Sequence, residues 1–332
     1  MDWTDRIGRR IRLRDLHILL TVAKTGSMGR AAVALAVSQP VVSKAIAELE
    51  HALGFRLLDR TPQGVEPTRY GRAVVKWGAA AFDDLRQGVS ELEFLADPTA
   101  GELKVGCSEP LAAGFIRAIV DRLSRQHPNV TFQVVSADPV SLHTRELRER
   151  QVELVVAPMP GLDPGEDTEV ELLFEERHIV MVGRNSKWAR RRDVTLADLM
   201  DEPWVLPPRG TPIDTYLAQG FRAAGLAPPR TRVATFSLPL HQELVASGRF
   251  ITALPGSMVR FCRALPLKVL PVEFPVLGRS IGVLTLKNRM VSPLAEIFLD
   301  CARELAKSAS SAAAGSGKRN YSSPAVPGNL LP

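Results

Sequence analysis

GSMGRAAVALAVSQPVVSKAI, residues 26–46, reads as two short helices joined by a tight turn. Gly26 and Ser27 end one helix and begin the next. Ser38 stands at the N-cap of the second helix, and Pro40 lies in its first turn, where an amide hydrogen has no intrahelical partner. The exposed start of this second helix carries small polar groups and one cation, which suit base edges and phosphates. The stretch therefore predicts a helix-turn-helix whose second helix enters the major groove of DNA.

A helix pair of this kind is also an ordinary packing motif, so the flanking segments decide between the two interpretations. Upstream, residues 13–24 place apolar side chains at helical spacing and predict a first helix for the pair to pack on. Downstream, residues 53–71 predict a basic strand hairpin, a wing that can lie against the DNA backbone or the minor groove. The residues that we predict to contact DNA are Ser27, Met28, Arg30, Ser38, Gln39, Pro40, Val41, Ser43, Lys44, Arg56, Arg60, Pro67 and Thr68.

The excess positive charge lies in the same part of the chain. Residues 1–72 hold 12 Lys/Arg and 7 Asp/Glu, a balance of +5 out of the formal +6 of the 332-residue chain. A protein that binds nucleic acid carries an excess of positive charge on the binding domain. A basic face that is only solvated would give the same count of charges.

At the level of motifs, residues 13–71 resemble the winged helix-turn-helix of the LysR-type transcriptional regulators. The resemblance is carried by S-Q-P-V-V-S-K-A-I (38–46), E-L-E (48–50), L-G-F-R-L-L-D-R (53–60) and P-T-R-Y-G (67–71). Within that family, residues 27–32, 56–68 and 93–107 most resemble the group named for regulators of a galactose-binding protein. The resemblance covers roughly residues 11–305. It implies double-stranded DNA with a partly palindromic operator, a small-molecule effector, and RNA polymerase as a further candidate partner.

The fold class that follows is α/β overall, with an N-terminal winged helix-turn-helix, a long linker helix and a C-terminal two-lobed domain. From residue 102 onward predicted strands alternate with helices, as in a parallel-sheet domain. Two crossings between the lobes match the type II periplasmic-binding-protein fold that the family resemblance also implies. The predicted ranges are 11–70 for the DNA-binding domain, 71–97 for the linker, 101–160 with 275–305 for lobe I, 161–274 for lobe II, and 306–332 for a disordered tail.

The predicted linker helix carries an apolar seam formed by Val74, Ala81, Leu85, Leu92 and Leu95, which follow alternating three- and four-residue steps once Gly78 and Gly88 complete the heptad. A helix that projects from a small head has no domain of its own to bury this seam. We therefore expect it to pair with its copy in a homodimer, the alternative being that it packs on its own chain. The family resemblance leaves the assembly open between a homodimer and a homotetramer.

An effector is expected at the carboxyl ends of strands, near the helix N-termini that follow them. Some side chains at these turns are polar and could bind an effector, and others could form an apolar wall of its site. Each of them could instead have a purely structural role, as a helix cap, a solvated charge or a core residue. The effector itself stays open between a sugar and a small carboxylic acid, since Glu109 would repel an anion. The candidate residues are Ser108, Glu109, Pro158, Met159, Arg209, Thr211, Phe236 and Ser237.

Nothing in the sequence favours catalysis, a cofactor or a metal. The six histidines form no H-x-x-x-H pair, and no G-x-S-x-G elbow or phosphate-binding glycine loop is present. Cys107, Cys262 and Cys301 lie far apart, which favours a reducing compartment and buried free thiols. We predict a cytoplasmic regulator that is not an enzyme. The alternative is a small-molecule-binding or enzymatic type II domain on which the head serves mainly for dimerisation.

Overall fold

A computed structural model describes residues 10–61, 64–261, 267–275 and 278–316 of the chain. The chain divides into two compact units, residues 1–92 and residues 93–332. The first unit contains three helices followed by a hairpin and the greater part of a long fourth helix. These elements are α1 (Leu13–Thr25), α2 (Met28–Ala34), α3 (Gln39–Leu53), β1 (Leu58–Thr61), β2 (Gly64–Pro67) and α4 (Arg69–Ala96).

The sequence predicts a core face of α1 formed by Leu13, Leu16, Leu19, Leu20 and Ala23, but the buried face is rotated from it. Leu13, expected on the buried face, is 51% exposed. Leu16 and Leu20 instead contact α4, where Gly78 lets their methyl groups approach its backbone closely. A second side of α1 faces the helix pair, because three packing partners require more than one stripe. The buried core of this unit contains Ile18, Leu19, Val22, Ala31, Ala32, Val42, Ala45, Ile46 and Leu49.

The junction between the wing and α4 is built around Gly71. A Cβ atom at this position would lie 1.9 Å from the carbonyl oxygen of Leu57, so only glycine fits there. The hydroxyl of Thr68 donates to the carbonyl of Arg56 over 2.7 Å and accepts from the amide of Gly71 over 3.0 Å. Thr68 therefore caps the first turn of α4 and fastens it to the segment that precedes the wing.

The apolar seam of α4 behaves differently along its length. In the first half of the helix, Val74 packs against the core of the first unit, and Phe82 contacts the ring of His17 at 5.6 Å between centroids. Further along, large apolar side chains are exposed to solvent. They are Leu85 (50%), Val89 (55%), Leu92 (67%) and Leu95 (70%), with Trp77 (69%) on the same helix.

The second unit contains two five-stranded sheets. Its strands are β3 (Ala100–Cys107), β4 (Asn129–Ser136), β5 (Leu154–Pro158), β6 (Thr168–Glu176), β7 (His178–Gly183), β8 (Trp204–Leu206), β9 (Thr231–Ala234), β10 (Ile251–Pro255), β11 (Leu267–Val269) and β12 (Arg279–Leu286). Its helices are α5 (Glu109–Leu111), α6 (Arg117–Gln126), α7 (Pro139–Ser141), α8 (Pro212–Ala223), α9 (Leu238–Ala246), α10 (Gly256–Phe261) and α11 (Pro293–Ser316). Short π-helical turns, Ala112–Ile116 and Leu142–Leu147, continue α5 and α7.

The sheet of lobe I has the strand order β4-β3-β5-β12-β6, and that of lobe II has the order β11-β7-β10-β8-β9. In lobe I, β3 is parallel to β4 and β5, while β12 is antiparallel to β5 and β6. In lobe II, β8 is parallel to β9 and β10, and β7 is antiparallel to β10 and β11. Parallel neighbours need helical crossovers, and these place several helix N-termini at the carboxyl ends of strands.

The boundary between the lobes differs from the predicted one. The sequence predicts lobe II from residue 161 and one strand-like stretch over residues 170–183. The structure instead divides this stretch at Arg177, with β6 in the lobe I sheet and β7 in the lobe II sheet. Because β6 pairs with β12 along its whole length and Phe174 packs in the lobe I core, the crossing comes after Glu176.

The end of the chain also differs from the prediction of disorder from residue 306. Helix α11 continues to Ser316, and Ala306 is buried in the lobe I core. The apolar face of α11 therefore extends further than the small residues of the sequence indicate. The rest of the predicted tail, residues 317–332, lies outside the described residues, as does Cys262.

Candidate functional site

The start of α3 presents polar side chains above a buried apolar face. Gln39, Ser43 and Lys44 are exposed, while Val42 and Ile46 on the opposite face are buried. The ammonium of Lys44 lies 3.7 Å from a carboxylate oxygen of Glu48, both side chains being open to solvent. An exposed pair of this kind is weak, so the cation is available to a phosphate.

The other predicted contacts of the helix pair divide into exposed and structural positions. Arg30 and Pro40 are exposed, Val41 is half-buried, and Met28 packs against the core. The hydroxyl of Ser27 accepts from the amide of Arg30 over 3.4 Å and so caps α2. Ser38, in contrast, makes no side-chain cap bond to α3, contrary to the prediction, which leaves its exposed hydroxyl open to another partner.

The hairpin is held against the helix pair by a backbone contact and a side-chain contact. The amide of Val65 donates to the carbonyl of Gly26 over 3.0 Å, at the turn between α1 and α2. The carboxylate of Glu50, on α3, accepts from the amides of Leu57 and Leu58 over 2.6 and 3.3 Å. The wing is thus fixed in position relative to the exposed start of α3.

Among the predicted wing contacts, Arg56 is exposed, Pro67 and Thr68 are half-buried, and Thr68 serves as the cap described above. The backbone of Arg60 lies in β1, while its side chain falls outside the described part of the chain.

A cavity of about 530 Å³ lies between the two lobes of the second unit. This volume is typical of small-molecule sites. Its wall comes from both sheets, at the carboxyl ends of strands and at the points where the chain crosses between the lobes. The lining residues are Ser108, Glu109, Pro110, Leu111, Ser136, Ala137, Asp138, Pro139, Pro158, Glu176, His178, Pro207, Ile213, Thr235, Phe236, Leu238, His241, Ala253, Leu254, Pro255, Arg279 and Ile281.

Four of the predicted effector residues line this cavity, namely Ser108, Glu109, Pro158 and Phe236. The hydroxyl of Ser108 makes no cap bond to the helix that follows it, so it is open to a ligand. Glu109 is exposed, and Phe236 is 63% exposed.

The other four do not line the cavity, because each is engaged elsewhere. Arg209 donates to the carbonyl of Pro229 over 3.0 Å. Thr211 accepts from the amide of Asp214 over 3.3 Å, and Ser237 accepts from that of Leu240 over 3.4 Å, so both hydroxyls cap helices. Met159 turns into the lobe I core, where its sulphur approaches the backbone of Gly282.

The most polar part of the cavity is formed by Glu176, His178, His241 and Arg279. The first three are 4, 7 and 5% exposed, and Arg279 is half-buried. The sequence indicates only His241 as a residue that could reach the cleft, and it favours a surface position for it, which is wrong. Glu176, His178 and Arg279 stand at strand ends beside the crossings between the lobes. The charged residues 175–178, which interrupt the apolar stretch, could have indicated the end of a strand and a polar site. The sequence pattern instead predicts that they belong to a single strand over residues 170–183.

Burial dominates the titration of these groups. It raises the pKa of Glu176 and lowers the pKa of His241 to about 4. Burial, together with the nearby Arg279 charge, lowers the pKa of His178 to about 3. Both imidazoles are therefore neutral at pH 7. Outside the cavity, burial raises the pKa of the Cys107 thiol to about 12, which suits a core residue better than a redox sensor.

A head with an exposed polar helix, followed by a two-lobed domain around a cavity, defines a ligand-responsive DNA-binding regulator. The chain belongs to the LysR family of transcriptional regulators. Residues 13–72 match the family model described as "Bacterial regulatory helix-turn-helix protein, lysR family". Residues 96–307 match the one described as "LysR substrate binding domain". It is therefore a regulator with a helix-turn-helix DNA-binding domain and an effector-binding domain.

Curated relatives are similar along most of their length. The HTH-type transcriptional regulator GbpR of Azospirillum brasilense is 26% identical over 89% of this chain and 86% of its own. The HTH-type transcriptional regulator GalR of Pseudomonas putida is 29% identical over 88% and 73%, respectively. The SDS degradation transcriptional activation protein of a Pseudomonas species is 30% identical over 86% and 93%.

Solved structures show the same fold. Full-length OxyR of Pseudomonas aeruginosa, solved as a cysteine-to-aspartate variant, superposes with a TM-score of 0.61 at 24% identity, covering 88% of this chain and 97% of its own. The LysR family transcriptional regulator CbnR gives 0.58 at 20% identity, covering 89% and 99%. CbnR has also been solved with its target DNA, and that structure gives 0.51 at 21% identity, covering 89% and 100%.

Within the described residues, no single helix is both long and apolar enough to cross a membrane. The helices α2 and α3 reach that length and composition only together, across a bend of 110°.

Proposed function

We propose that the chain reads its operator through the exposed start of α3, with the wing contacting the adjacent backbone. The observation that carries this proposal is the row formed by Gln39, Ser43 and Lys44 above a fully packed apolar face. An amide such as that of Gln39 can pair with adenine in the major groove, and Lys44 can neutralise a phosphate. The structure of CbnR with its target DNA supports the choice of partner.

Gln39→Ala is expected to weaken binding to the specific operator by about 1–3 kcal/mol while leaving binding to random DNA nearly unchanged. Lys44→Ala is expected to weaken binding to every sequence and to flatten its dependence on salt. Gel-shift titrations with the gene's own upstream DNA, at two salt concentrations, distinguish the two effects. Arg125→Ala, which removes an exposed charge from the second unit, is the matched control. Parental operator affinity in Gln39→Ala would remove this side chain from base recognition.

The cavity between the lobes is the site that we assign to the effector. It is formed by both lobes, so a ligand that contacts both sheets favours one arrangement of the lobes over others. The regulatory signal is then a shift between arrangements of the second unit, and the DNA-binding face itself needs no effector to fold. Because the family consists of transcriptional regulators, we place the protein among non-enzymatic regulators of the bacterial cytoplasm.

Self-association through α4 is the assembly that fits its exposed seam. Leu85, Val89 and Leu92 are each at least half exposed, at spacings that face a second helix. Two copies that pair in this way carry two DNA-binding heads, matching a partly palindromic operator.

The double substitution Leu85→Lys with Leu92→Lys is expected to dissociate the dimer, since each chain would bring two charges to an apolar contact. Light scattering on the folded protein reports the mass. The single variant Glu91→Lys, which adds positive charge at an exposed polar position of the same helix, should keep the parental mass. A double mutant that stays folded with an unchanged mass would show that this seam does not form the interface.

A further inference from the structure

One corner of the cavity is polar, and it is formed where the chain crosses between the lobes. Glu176 ends β6, and His178 begins β7 after one intervening residue, Arg177. Arg279 begins β12 on the return crossing and is the Cα partner of Glu176 in the ladder of lobe I. The ring of Tyr216 contacts both sides of this corner, with 5.1 Å between its centroid and that of His178 and 5.2 Å to Cζ of Arg279. The crossings therefore gather a carboxyl, an imidazole and a guanidinium.

The positive charge of Arg279 has no carboxylate partner within the described part of the chain. Its guanidinium lies over the face of the Tyr216 ring. Among the described residues that line the cavity, Arg279 is the only one with a cationic side chain. Of the three acidic residues that the structure describes in the lining, two are engaged elsewhere: Asp138 accepts two helix amides, at 3.1 and 3.0 Å, and Oε1 of Glu176 accepts the amide of Ser257 at 3.0 Å. The third, Glu109, is exposed, and solvent there weakens its repulsion of an anion. A half-buried cation of this kind is complemented by an anion that enters the cavity.

Buried polar atoms at the cavity wall point to the same conclusion. Oε2 of Glu176, Nδ1 of His178 and Nε2 of His241 have no hydrogen-bond partner among the described residues, and all three side chains are more than nine-tenths buried. Such atoms are costly unless a bound group satisfies them. They therefore mark positions at which a ligand presents polar atoms.

Most of the rest of the wall is apolar, although Ser108, Glu109, Ser136, Asp138 and Thr235 also line it. Leu111, Leu238, Leu254 and Ile281 line it together with several prolines, and Phe236 offers an aromatic side. A sugar carries a hydroxyl on almost every carbon, and each hydroxyl buried against such a wall would lose its hydrogen bonds to water. A ligand with one charged end and an apolar body fits both parts of the cavity.

We propose that the effector is an amphiphilic monocarboxylate, whose carboxylate pairs with Arg279 beside His178 and whose alkyl or aryl body lies along the apolar wall. This inference rests on the assignment of the cavity as the effector site, and it selects the acid over the sugar that the sequence left open. The guanidinium binds the anion through charge-assisted hydrogen bonds, and the neutral imidazole of His178 can donate a further one.

The test uses the full-length protein and a panel of defined probes. The carboxylates are butanoate, hexanoate, octanoate, benzoate and phenylacetate, the neutral analogues are 1-octanol and benzyl alcohol, and the sugar is D-galactose. Thermal-shift measurements select the carboxylate that binds best, and calorimetric titration gives its affinity for the parent and for Arg279→Gln, Arg279→Lys and Arg209→Gln. Arg209 is the matched control, because it lies outside the cavity lining.

We expect at least one carboxylate to bind, its neutral analogue and D-galactose to bind far more weakly, and Arg279→Gln to weaken the carboxylate by about tenfold or more. Arg279→Lys should recover part of that affinity, and Arg209→Gln should match the parent. The proposal is overturned if no carboxylate of the panel binds, if the neutral analogue binds as tightly, or if Arg279→Gln keeps the parental affinity.

Gel shifts on the same preparations separate this inference from the proposed function. Arg279→Gln that keeps the parental thermal midpoint in the absence of ligand and still binds the operator is folded in both units, so its loss of carboxylate affinity is specific. If the operator is bound and D-galactose rather than a carboxylate changes that binding, the ligand class is wrong while the regulatory function stands. If the parent binds carboxylate but no upstream DNA, the proposed reading of the operator fails instead.

Discussion

Acidification from pH 7 to about 4 is expected to destabilise the second unit through His178, which is 7% exposed. Burial and the Arg279 charge hold the pKa of this imidazole at about 3, against an ordinary value of 6.5. Above pH 6.5 the imidazole is neutral in both the folded and the unfolded chain, so it does not change the free energy of unfolding. As the pH falls below 6.5, only the unfolded chain takes up the proton, and stability is lost down to the folded pKa. By pH 4 this amounts to about 3 kcal/mol.

Two further groups of the cavity modify this dependence. The pKa of His241 is lowered to about 4, so its effect has the same sign over the same range. The pKa of Glu176 is raised by burial, and its effect is opposite, because the folded chain takes up that proton first as the pH falls. The contribution of His178 must therefore be read as a difference between variants.

The measurement is the thermal midpoint of the full-length protein as a function of pH, for the parent and for His178→Gln. The variant should lose less stability than the parent between pH 6.5 and 4. His51→Gln, at an exposed position of α3, should follow the parent. If His178→Gln loses stability as steeply as the parent, the imidazole is not held neutral by the fold.

Trp204→Ala is expected to cost about 3–5 kcal/mol, because the residue is fully buried at the centre of lobe II and its removal leaves a cavity. Its ring packs edge-on against Phe221, with centroids 5.4 Å apart. Its indole N–H donates to the carbonyl of Leu199 over 2.8 Å, and alanine would leave that carbonyl without this donor. The loss is large relative to the stability of an ordinary domain.

Chemical denaturation followed by the far-ultraviolet circular dichroism signal measures this cost. Trp204→Phe keeps most of the packing and removes only the donor, so it should cost about 1–2 kcal/mol. The exposed Trp77 gives a matched tryptophan-to-alanine control, and Trp77→Ala should stay within about 1 kcal/mol of the parent. Equal losses for Trp77→Ala and Trp204→Ala would contradict the burial argument.

The helix-turn-helix could be predicted in detail because its signals are local. Gly26 adopts the left-handed conformation at the end of α1, and Ser27 caps α2, as the residue types indicate. Residue spacing alone did not give the orientation of α1, since α4 contacts Leu16 and Leu20 from another side. A periodicity shows that a face is apolar, but the partner that covers it is a tertiary property.

The cavity could be predicted only in outline, for a related reason. Its location between two lobes follows from the order of strands and helices, and four of the eight predicted residues line it. The decisive corner joins Glu176 to Arg279, which are about a hundred positions apart and meet only through the antiparallel pairing of β6 and β12. The local sequence favours Arg209 over Arg279 as an anion-binding residue, because Arg209 lies in a turn before a helix. In the structure, however, its guanidinium donates to the carbonyl of Pro229.

The pairing of Glu176 with Arg279 also has a consequence for engineering the fold. Everything between these two residues leaves the lobe I sheet and returns to it at directly opposed positions of neighbouring strands. Two such positions can be joined by a two-residue hairpin turn. Lobe II is therefore an insertion between two paired strands, β6 and β12, of lobe I. A shortened protein that joins residues 93–176 to residues 279–316 by a short turn would keep the five-stranded sheet of lobe I. It would lose Phe261, so a new side chain must pack against Phe115 and Phe174 in its place.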